Sequence, residues 1–279
     1  MKIQVLLCFT IWSAIEAFVL PNASKWKIKQ YQPLKMSSKC EESFEKIFSK
    51  IESGQETRQS DHAESLNMDK FDIGAMRGTI KGYLGSKIDW CSKLNLTGED
   101  GFEKYSLMCW TFPMYNTPHL SIDIEKTTEK IFLKADLIPK EDLMYSQDYL
   151  EEFYEGGVLE WYNDLVENQL SEQQTPSKYL RDRVLTSPTV VHISLPNSKE
   201  GDEILESGVE KLVDLWLGFL SEASEIPRMR RGTMLSRDSI LRRMSFLILN
   251  QNSIFGARAQ EVAVALVGPG DQAYIGQAS

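Results

Sequence analysis

The chain has 279 residues, 42% of them hydrophobic and 25% charged, with a formal net charge of −9 at pH 7. This composition is typical of a globular protein with room for one large domain or two small ones, and its acidity disfavours nucleic acid as a partner. The four cysteines form no Cys-x-x-Cys pair, so we expect neither a metal site nor a structural disulfide.

The first 40 residues predict two successive targeting segments. Residues 1–17 carry Lys2, a mostly apolar stretch and small residues at the end, as in a signal-type leader too short to span a bilayer. Residues 18–40 contain five lysines and no acid, which is transit-peptide composition. With Phe18 at their junction, the segments resemble the bipartite presequence of algae whose plastid lies inside the endomembrane system. We expect a protein of the plastid (chloroplast) stroma without stable membrane insertion; a secreted protein with a basic arm is the alternative.

A single globular domain is expected over residues 41–267, followed by a flexible tail over 268–279. Apolar residues at three- and four-residue spacing predict a helix over 41–53 that ends at Gly54. The polar stretch 55–70 predicts a loop.

The middle and the end of the chain predict first strands and then helices. Short runs of β-branched and aromatic residues separated by turn signals indicate antiparallel strands, and apolar residues at helical spacing follow them. A strand meander followed by helices predicts an α/β fold in which helices cover an antiparallel sheet. The predicted strands are 106–112, 119–125, 130–138 and 189–195; the predicted helical stretches are 147–170, with a pause at Gly156-Gly157, 205–219 and 240–248.

The predicted strand over 119–125 has one polar face. Alternation places His119, Ser121, Asp123 and Glu125 on the same side. On spacing alone, a wet outer surface is the simpler interpretation. If the face instead lines a pocket, an acid with apolar neighbours acquires a raised pKa and can donate protons near neutrality.

A dense run of arginines stands out against the acidic background. Most such runs are solvated faces, but a local basic patch also attracts a small acidic partner. Both interpretations remain open from the residues alone. The arginines considered for partner docking are Arg228, Arg230, Arg231, Arg242 and Arg243.

The segment after the polar strand resembles a known family. The run from Asp136 to Leu143, continuing through 147–154, closely resembles the D-L-x-x-x-x-D-L motif and following helix of red chlorophyll catabolite reductases. The run Arg183 to Thr189 is similar to the family's R-x-x-x-S-P-T, and Ile254-Phe255-Gly256 to its late turn. The stretch 112–123 also resembles the wider ferredoxin-dependent bilin reductases, where an acid follows a proline by a fixed step.

This resemblance implies an α/β/α sandwich that holds a linear tetrapyrrole between the sheet and the helices on one side. It implies no bound cofactor or metal, with reduced ferredoxin as the electron donor. Asp123 would be the proton donor and His119 would orient the substrate or Asp123. Arg183, Ser121 and Ser187 would bind substrate, with Arg183 paired to a propionate, and the arginine run would receive ferredoxin.

One departure from the family keeps alternatives open. The family carries an acid just before its late F-G turn, whereas residues 245–253 contain no Asp or Glu and offer Asn250 and Asn252. An asparagine cannot protonate a substrate. The leading hypothesis is reduction of red chlorophyll catabolite in chlorophyll breakdown; the alternatives are a phycobilin-forming reductase and a non-catalytic protein that binds or scavenges tetrapyrroles.

Overall fold

The computed structural model describes residues 38–177 and 180–269. The predicted targeting segments up to residue 37 and the predicted tail from residue 270 lie outside the described residues. The described residues fall in one compact unit. Within them, no helix is both long enough and apolar enough to cross a membrane.

A single sheet with nine strands organises the described part of the chain. Its strands are β1 (Arg58–Ser60), β2 (Phe71–Ile73), β3 (Met76–Leu84), β4 (Ile88–Thr97), β5 (Glu103–Thr111), β6 (His119–Lys126), β7 (Lys130–Ile138), β8 (Glu172–Gln173) and β9 (Val191–Pro196). Their order is β1-β3-β4-β5-β6-β7-β9-β8, with β2 also paired to β3, and every pair is antiparallel. Short turns connect β3 to β7 in sequence, which makes this part a meander.

Helices cover both faces of the sheet. The helices are α1 (Lys39–Gln55), α2 (His62–Ser65), α3 (Gln147–Phe153), α4 (Gly157–Val166), α5 (Leu180–Leu185), α6 (Lys199–Glu222), α7 (Arg228–Asn250) and α8 (Ala259–Val267), with 3-10 turns at Glu99–Gly101 and Ser253–Arg258. Helices α1, α3, α4 and α6 pack on one face in the largest core. Helices α2, α5, α7 and α8 pack on the other. The predicted α/β architecture, an antiparallel sheet between helices, is confirmed.

The two faces of the sheet differ in polarity. On β6, Leu120, Ile122 and Ile124 point into the largest core, whereas Ser121 and Asp123 point to the opposite face. Removing these apolar side chains from water stabilises the sheet by roughly 1.5–3 kcal/mol for each large residue. The first face therefore supplies stability, and the second is free to carry polar groups.

The structure corrects two local predictions. Helix α1 continues through Gly54 to Gln55 and is capped by Glu56, which adopts a left-handed conformation with φ 48°. Burial of Gln55 extends the helix beyond the glycine. The predicted loop 55–70 contains β1 and α2. Strand β1 forms because Arg58–Ser60 pairs with β3 at the sheet edge, where Ser60 stands opposite Gly82.

Candidate active site

A cavity of about 330 Å³ lies between the polar face of the sheet and the second helical layer. This size is at the lower end of small-molecule sites. Its floor includes Ser106 and Asp123, and its roof includes Ile248 and Leu249 from α7 and Leu266 from α8. A planar ligand would therefore meet apolar side chains above and polar ones below.

Strand register arranges the polar floor in a row. Asp123 on β6 stands opposite Ser106 on β5 and Lys134 on β7, and Lys134 stands opposite His192 on β9. Because directly opposite side chains are about 5 Å apart, these four groups form a line across the cavity. Two residues along the strands from the Asp123–Lys134 pair, Ser121 stands opposite Asp136 on the same face of the sheet.

Asp123 reaches the cavity as an ionised carboxylate. Its side chain is 35% exposed, and its Oδ1 lies 3.4 Å from Nζ of the buried Lys104. Lys104 also contacts Glu125, with 2.6 Å between Nζ and Oε1. Burial raises the pKa of Asp123, but Lys104 and Ser106 more than offset this, so its pKa lies below the usual value. The expected raised pKa of Asp123 is therefore wrong, because the buried ammonium of Lys104 lies beside the acid.

Asp136 is the cavity acid with the opposite behaviour. It is 2% exposed, and it accepts hydrogen bonds from the backbone N–H of Ser187 at 2.9 Å and from the Ser187 hydroxyl at 2.5 Å. Burial raises its pKa to about 6, although both bonds from Ser187 act to lower it. The expectation that Ser187 binds substrate is corrected, since its buried hydroxyl holds Asp136 instead.

His119 is locked inside the protein and does not contact Asp123. Its Nδ1 accepts from the backbone N–H of Thr111 at 3.1 Å, so its Nε2–H is left to donate to Asp238 at 3.2 Å. Burial lowers the pKa of His119 to about 4, even though Asp238 acts in the opposite sense. Four residues along a strand separate His119 from Asp123 by roughly 13 Å. The predicted orienting role is therefore corrected: His119 joins β6 to α7.

A buried lysine completes this connection. Lys140 has no exposed surface, and its ammonium donates to the carbonyl oxygens of Phe112 at 2.9 Å and Tyr115 at 3.0 Å. The same ammonium lies 3.3 Å from Oδ2 of Asp238. Because His119 is neutral, Lys140 supplies the positive charge that balances Asp238. These contacts anchor α7, and with it the cavity roof, to the end of the sheet.

A sequence model described as red chlorophyll catabolite reductase (RCC reductase) matches residues 57–267, which is more than half of the chain. The chain belongs to the RCC reductase family. The family predicted from the motifs is confirmed. Membership makes this protein a reductase that acts on an open-chain tetrapyrrole in chlorophyll breakdown.

Individual relatives and a solved structure agree with this assignment. The chain is 28% identical over 156 residues to red chlorophyll catabolite reductase of Hordeum vulgare, covering 50% of this chain and 75% of that protein. It is 25% identical over 201 residues to red chlorophyll catabolite reductase 1, chloroplastic, of Oryza sativa subsp. japonica, covering 66% and 61%. The crystal structure of phytochromobilin synthase from tomato in complex with biliverdin superposes with a TM-score of 0.70, at 15% identity and 84% coverage of each chain. The last comparison shows a shared fold.

The remaining predicted substrate contact, Arg183, lies outside the main cavity of this RCC reductase. It is exposed on α5 and lines a neighbouring cleft of about 230 Å³. Lys134 lines both spaces, and its ammonium pairs with Asp182 at 2.6 Å. Lys134, and not the predicted Arg183, is therefore the cation that enters the main cavity from the side of α5.

The arginine run divides into surface and interior residues. Arg228, Arg230 and Arg243 are exposed, with Arg230 paired to Glu141. Arg231, which is partly exposed, pairs with Glu225.

Arg242 corrects the docking prediction for this run. It is only 5% exposed, pairs with Asp89 and lies over the Trp110 ring at 5.2 Å. A buried guanidinium cannot present its charge to a partner, so Arg242 secures α7 instead of receiving ferredoxin.

The cavity residues that the sequence did not reveal include Lys104, Lys134 and Asp136. A usable signal existed for Asp136, because it is an acid inside the otherwise apolar run Ala135–Ile138 at the end of a predicted strand. The lysines carry no such signal, since alternating charge is also typical of an exposed strand. Among the described residues, no three histidine, cysteine or acidic side chains gather so that they could hold a metal ion.

Proposed function

We propose that this protein reduces red chlorophyll catabolite with single electrons from reduced ferredoxin, without a bound cofactor, and adds hydrogen across a carbon–carbon double bond. The observation that supports it best is the cavity with an apolar roof and the row Ser106, Asp123, Lys134 and His192 across its floor. A conjugated tetrapyrrole is itself an electron acceptor. The protein therefore has to hold it, exclude water and deliver protons.

The cavity offers separate groups for the two parts of such a pigment. The pyrrole plane would lie under Ile248 and Leu249 of the roof. A carboxylate side chain would reach Lys134, whose ammonium already contacts the carboxylate of Asp182. Ser121 would donate its hydroxyl to a pigment oxygen.

Asp123 is proposed as a proton donor that becomes protonated only when substrate is present. Its carboxylate is partly exposed to the cavity. A bound pigment would exclude solvent from the Asp123 carboxylate, and an added electron would place negative charge near it. Both changes raise the pKa of a carboxyl group. Substrate binding and reduction would thus raise the pKa of Asp123, which Lys104 otherwise keeps low.

Ferredoxin is proposed to dock along the exposed side of α7. Arg228 and Arg243 are 15 residues apart on this helix, which places them roughly 22 Å from each other. These two arginines form a basic stripe on an acidic protein, whereas Arg230 lies on another side of the helix and pairs with Glu141. Such a stripe accelerates encounter with an acidic partner and loses its effect at high salt.

A plastid location is proposed on two grounds. The rice relative is named chloroplastic, and residues 1–40 have the composition of a bipartite presequence. A fluorescent fusion carrying residues 1–40 should enter plastids, whereas a fusion of residues 1–17 should stop in the secretory pathway. Secretion of the longer fusion would favour the secreted alternative.

An anaerobic assay with reduced ferredoxin tests the enzymatic proposal. Red catabolite and biliverdin are offered separately, and we expect only the red catabolite absorption band to disappear. Asp123→Asn should abolish turnover but keep pigment binding. Glu125→Gln is the matched control, because it also removes one acidic partner of Lys104 and should retain turnover. Unchanged turnover by Asp123→Asn would remove Asp123 from the mechanism.

A non-catalytic binding protein is the second candidate. Its support is the cavity roof from α7, where residues 245–253 contain no acid. Tight binding of red catabolite by the unaltered protein, with no spectral change under reduced ferredoxin, would establish it. Disappearance of the biliverdin band alone would instead indicate a phycobilin-forming reductase.

A further inference from the structure

We propose that Asp136 is a second catalytic acid, which delivers one of the two protons added to the substrate and is reprotonated through Ser187 and Thr189. This inference rests on the proposed reduction. It begins from the position of Asp136 in the cavity wall, next to Ile138 and Leu185. An acid in such surroundings is more easily kept neutral than one at an aqueous surface.

A comparison of the four acids that line the cavity distinguishes Asp136. Asp123 and Glu125 both contact the ammonium of Lys104, and Asp182 contacts that of Lys134. Each of these three therefore has a lysine ammonium beside it. Asp136 forms no ion pair with a lysine or arginine of the described chain, and Ser187 holds it through neutral N–H and O–H donors. It is therefore the lining acid best suited to carry a proton before substrate binds.

The strand register places the two proposed donors under one ligand. Asp123 is directly opposite Lys134, and Asp136 is two residues further along the same strand. Such diagonal neighbours have Cα atoms roughly 7–8 Å apart. A tetrapyrrole is longer than this distance, so one bound pigment can lie over both carboxyl groups.

Two hydroxyl groups provide a route for reprotonation. The Ser187 hydroxyl lies 2.5 Å from Oδ1 of Asp136 and 3.1 Å from the hydroxyl of Thr189. Each hydroxyl can donate one proton while accepting another, so a proton can pass from Thr189 to Ser187 and on to Asp136. The same segment borders the neighbouring cleft, where Pro188 and Val190 form part of the wall. Because neither hydroxyl lines the substrate cavity, the route lies outside it.

The reaction balances with two electrons and two protons. One electron from reduced ferredoxin converts the pigment to its radical anion, and a proton from one carboxyl group gives a neutral radical. A second electron and a second proton then convert the original C=C bond to CH–CH. Two ferredoxins are oxidised, and Asp123 and Asp136 each lose one proton. Solvent restores the proton of the partly exposed Asp123 once product has left, and the hydroxyl route restores that of Asp136.

Other ionisable side chains lie near Asp136 and have to be considered in a pH test of its role. Burial raises the pKa of Asp136 to about 6, and Lys134 acts in the opposite direction. His192, which stands opposite Lys134 on the neighbouring strand, has a pKa lowered by burial and is therefore the histidine to test beside Asp136. The titratable side chains that line the same cavity are Lys104 on β5, Asp123 and Glu125 on β6, Lys134 on β7, His192 on β9 and Asp182 on α5.

The test uses Asp136→Asn in the anaerobic ferredoxin assay. This change preserves shape and the bond that Asp136 accepts from the Ser187 N–H, whereas the new amide N–H has to donate to the Ser187 hydroxyl; the titrating proton is removed. We expect kcat to fall about a hundredfold or more, as for loss of a general acid, while pigment affinity stays within about threefold. Electrons would still arrive, so a one-electron-reduced pigment should accumulate and give a radical signal in electron paramagnetic resonance. Undiminished kcat, or loss of activity with no radical, would overturn the proposal.

A pH profile separates proton transfer from a structural role. For the unaltered protein, kcat/KM should fall above about pH 6 as Asp136 loses its proton. Ser187→Ala removes a hydrogen bond that stabilises the carboxylate, so the fall should move to higher pH. His192→Gln should retain the fall; its loss there would assign the titration to His192 and overturn the proposal. If the unaltered protein reduces no pigment, the proposed function itself is contradicted. If it reduces pigment but Asp136→Asn does so equally well, only the role of Asp136 is contradicted.

Discussion

Replacement of Asp136 by Asn should change the pH dependence of stability by an amount that follows from its environment. The pKa of Asp136 is about 6 in the folded protein and about 3.9 in an unfolded chain. The unfolded state therefore releases this proton first, and folding stability falls as pH rises between the two values. The difference of about two pKa units corresponds to about 3 kcal/mol in full, and to about 2 kcal/mol between pH 4.5 and 7.5.

Urea unfolding of both proteins at pH 4.5 and 7.5 measures this effect. The amide introduced by Asp136→Asn cannot titrate, so the variant should gain about 2 kcal/mol relative to the unaltered protein as pH rises. Other titrating groups cancel in the difference. Asp123→Asn is the matched control: its folded pKa is lowered, both of its pKa values lie below the window, and the corresponding difference should barely move. A pH-independent difference for Asp136→Asn would refute a neutral Asp136 in the folded protein.

Two further predictions concern α7. Asp238→Ala should destabilise the protein by about 3–5 kcal/mol in urea unfolding, because it leaves the ammonium of Lys140 buried without its anion; the exposed Ser236→Ala should stay within about 0.5 kcal/mol, and a cost for Asp238→Ala as small as that would contradict the balancing role. Joint replacement of Arg228 and Arg243 by Ala should raise the KM for ferredoxin several-fold at low salt and little at high salt. A KM insensitive to both salt and these changes would exclude this surface as the dock.

Strand pairing of the central sheet could be predicted because each strand carries its own pattern. The strand predicted over 130–138 has the observed bounds of β7, and the one over 119–125 differs from β6 by a single residue. In both, apolar residues largely alternate with polar ones between clear turns. By contrast, β3 contains Gly78 and Gly82, which conceal a strand pattern. These glycines are required because the rings of Phe71 and Trp90 lie where side chains would be.

The sequence by itself determined the family, the helix-covered antiparallel sheet and the polar face of β6 with Asp123, because these depend on local motifs and on alternation. Only the tertiary structure decided which acids are charged. Asp123 is ionised because Lys104 from another strand lies beside it, and Asp136 has a raised pKa because it is buried against Ser187, which is 51 residues away. A pKa depends on solvent exclusion and on charges brought together by folding. Neighbours in the chain therefore cannot reveal it.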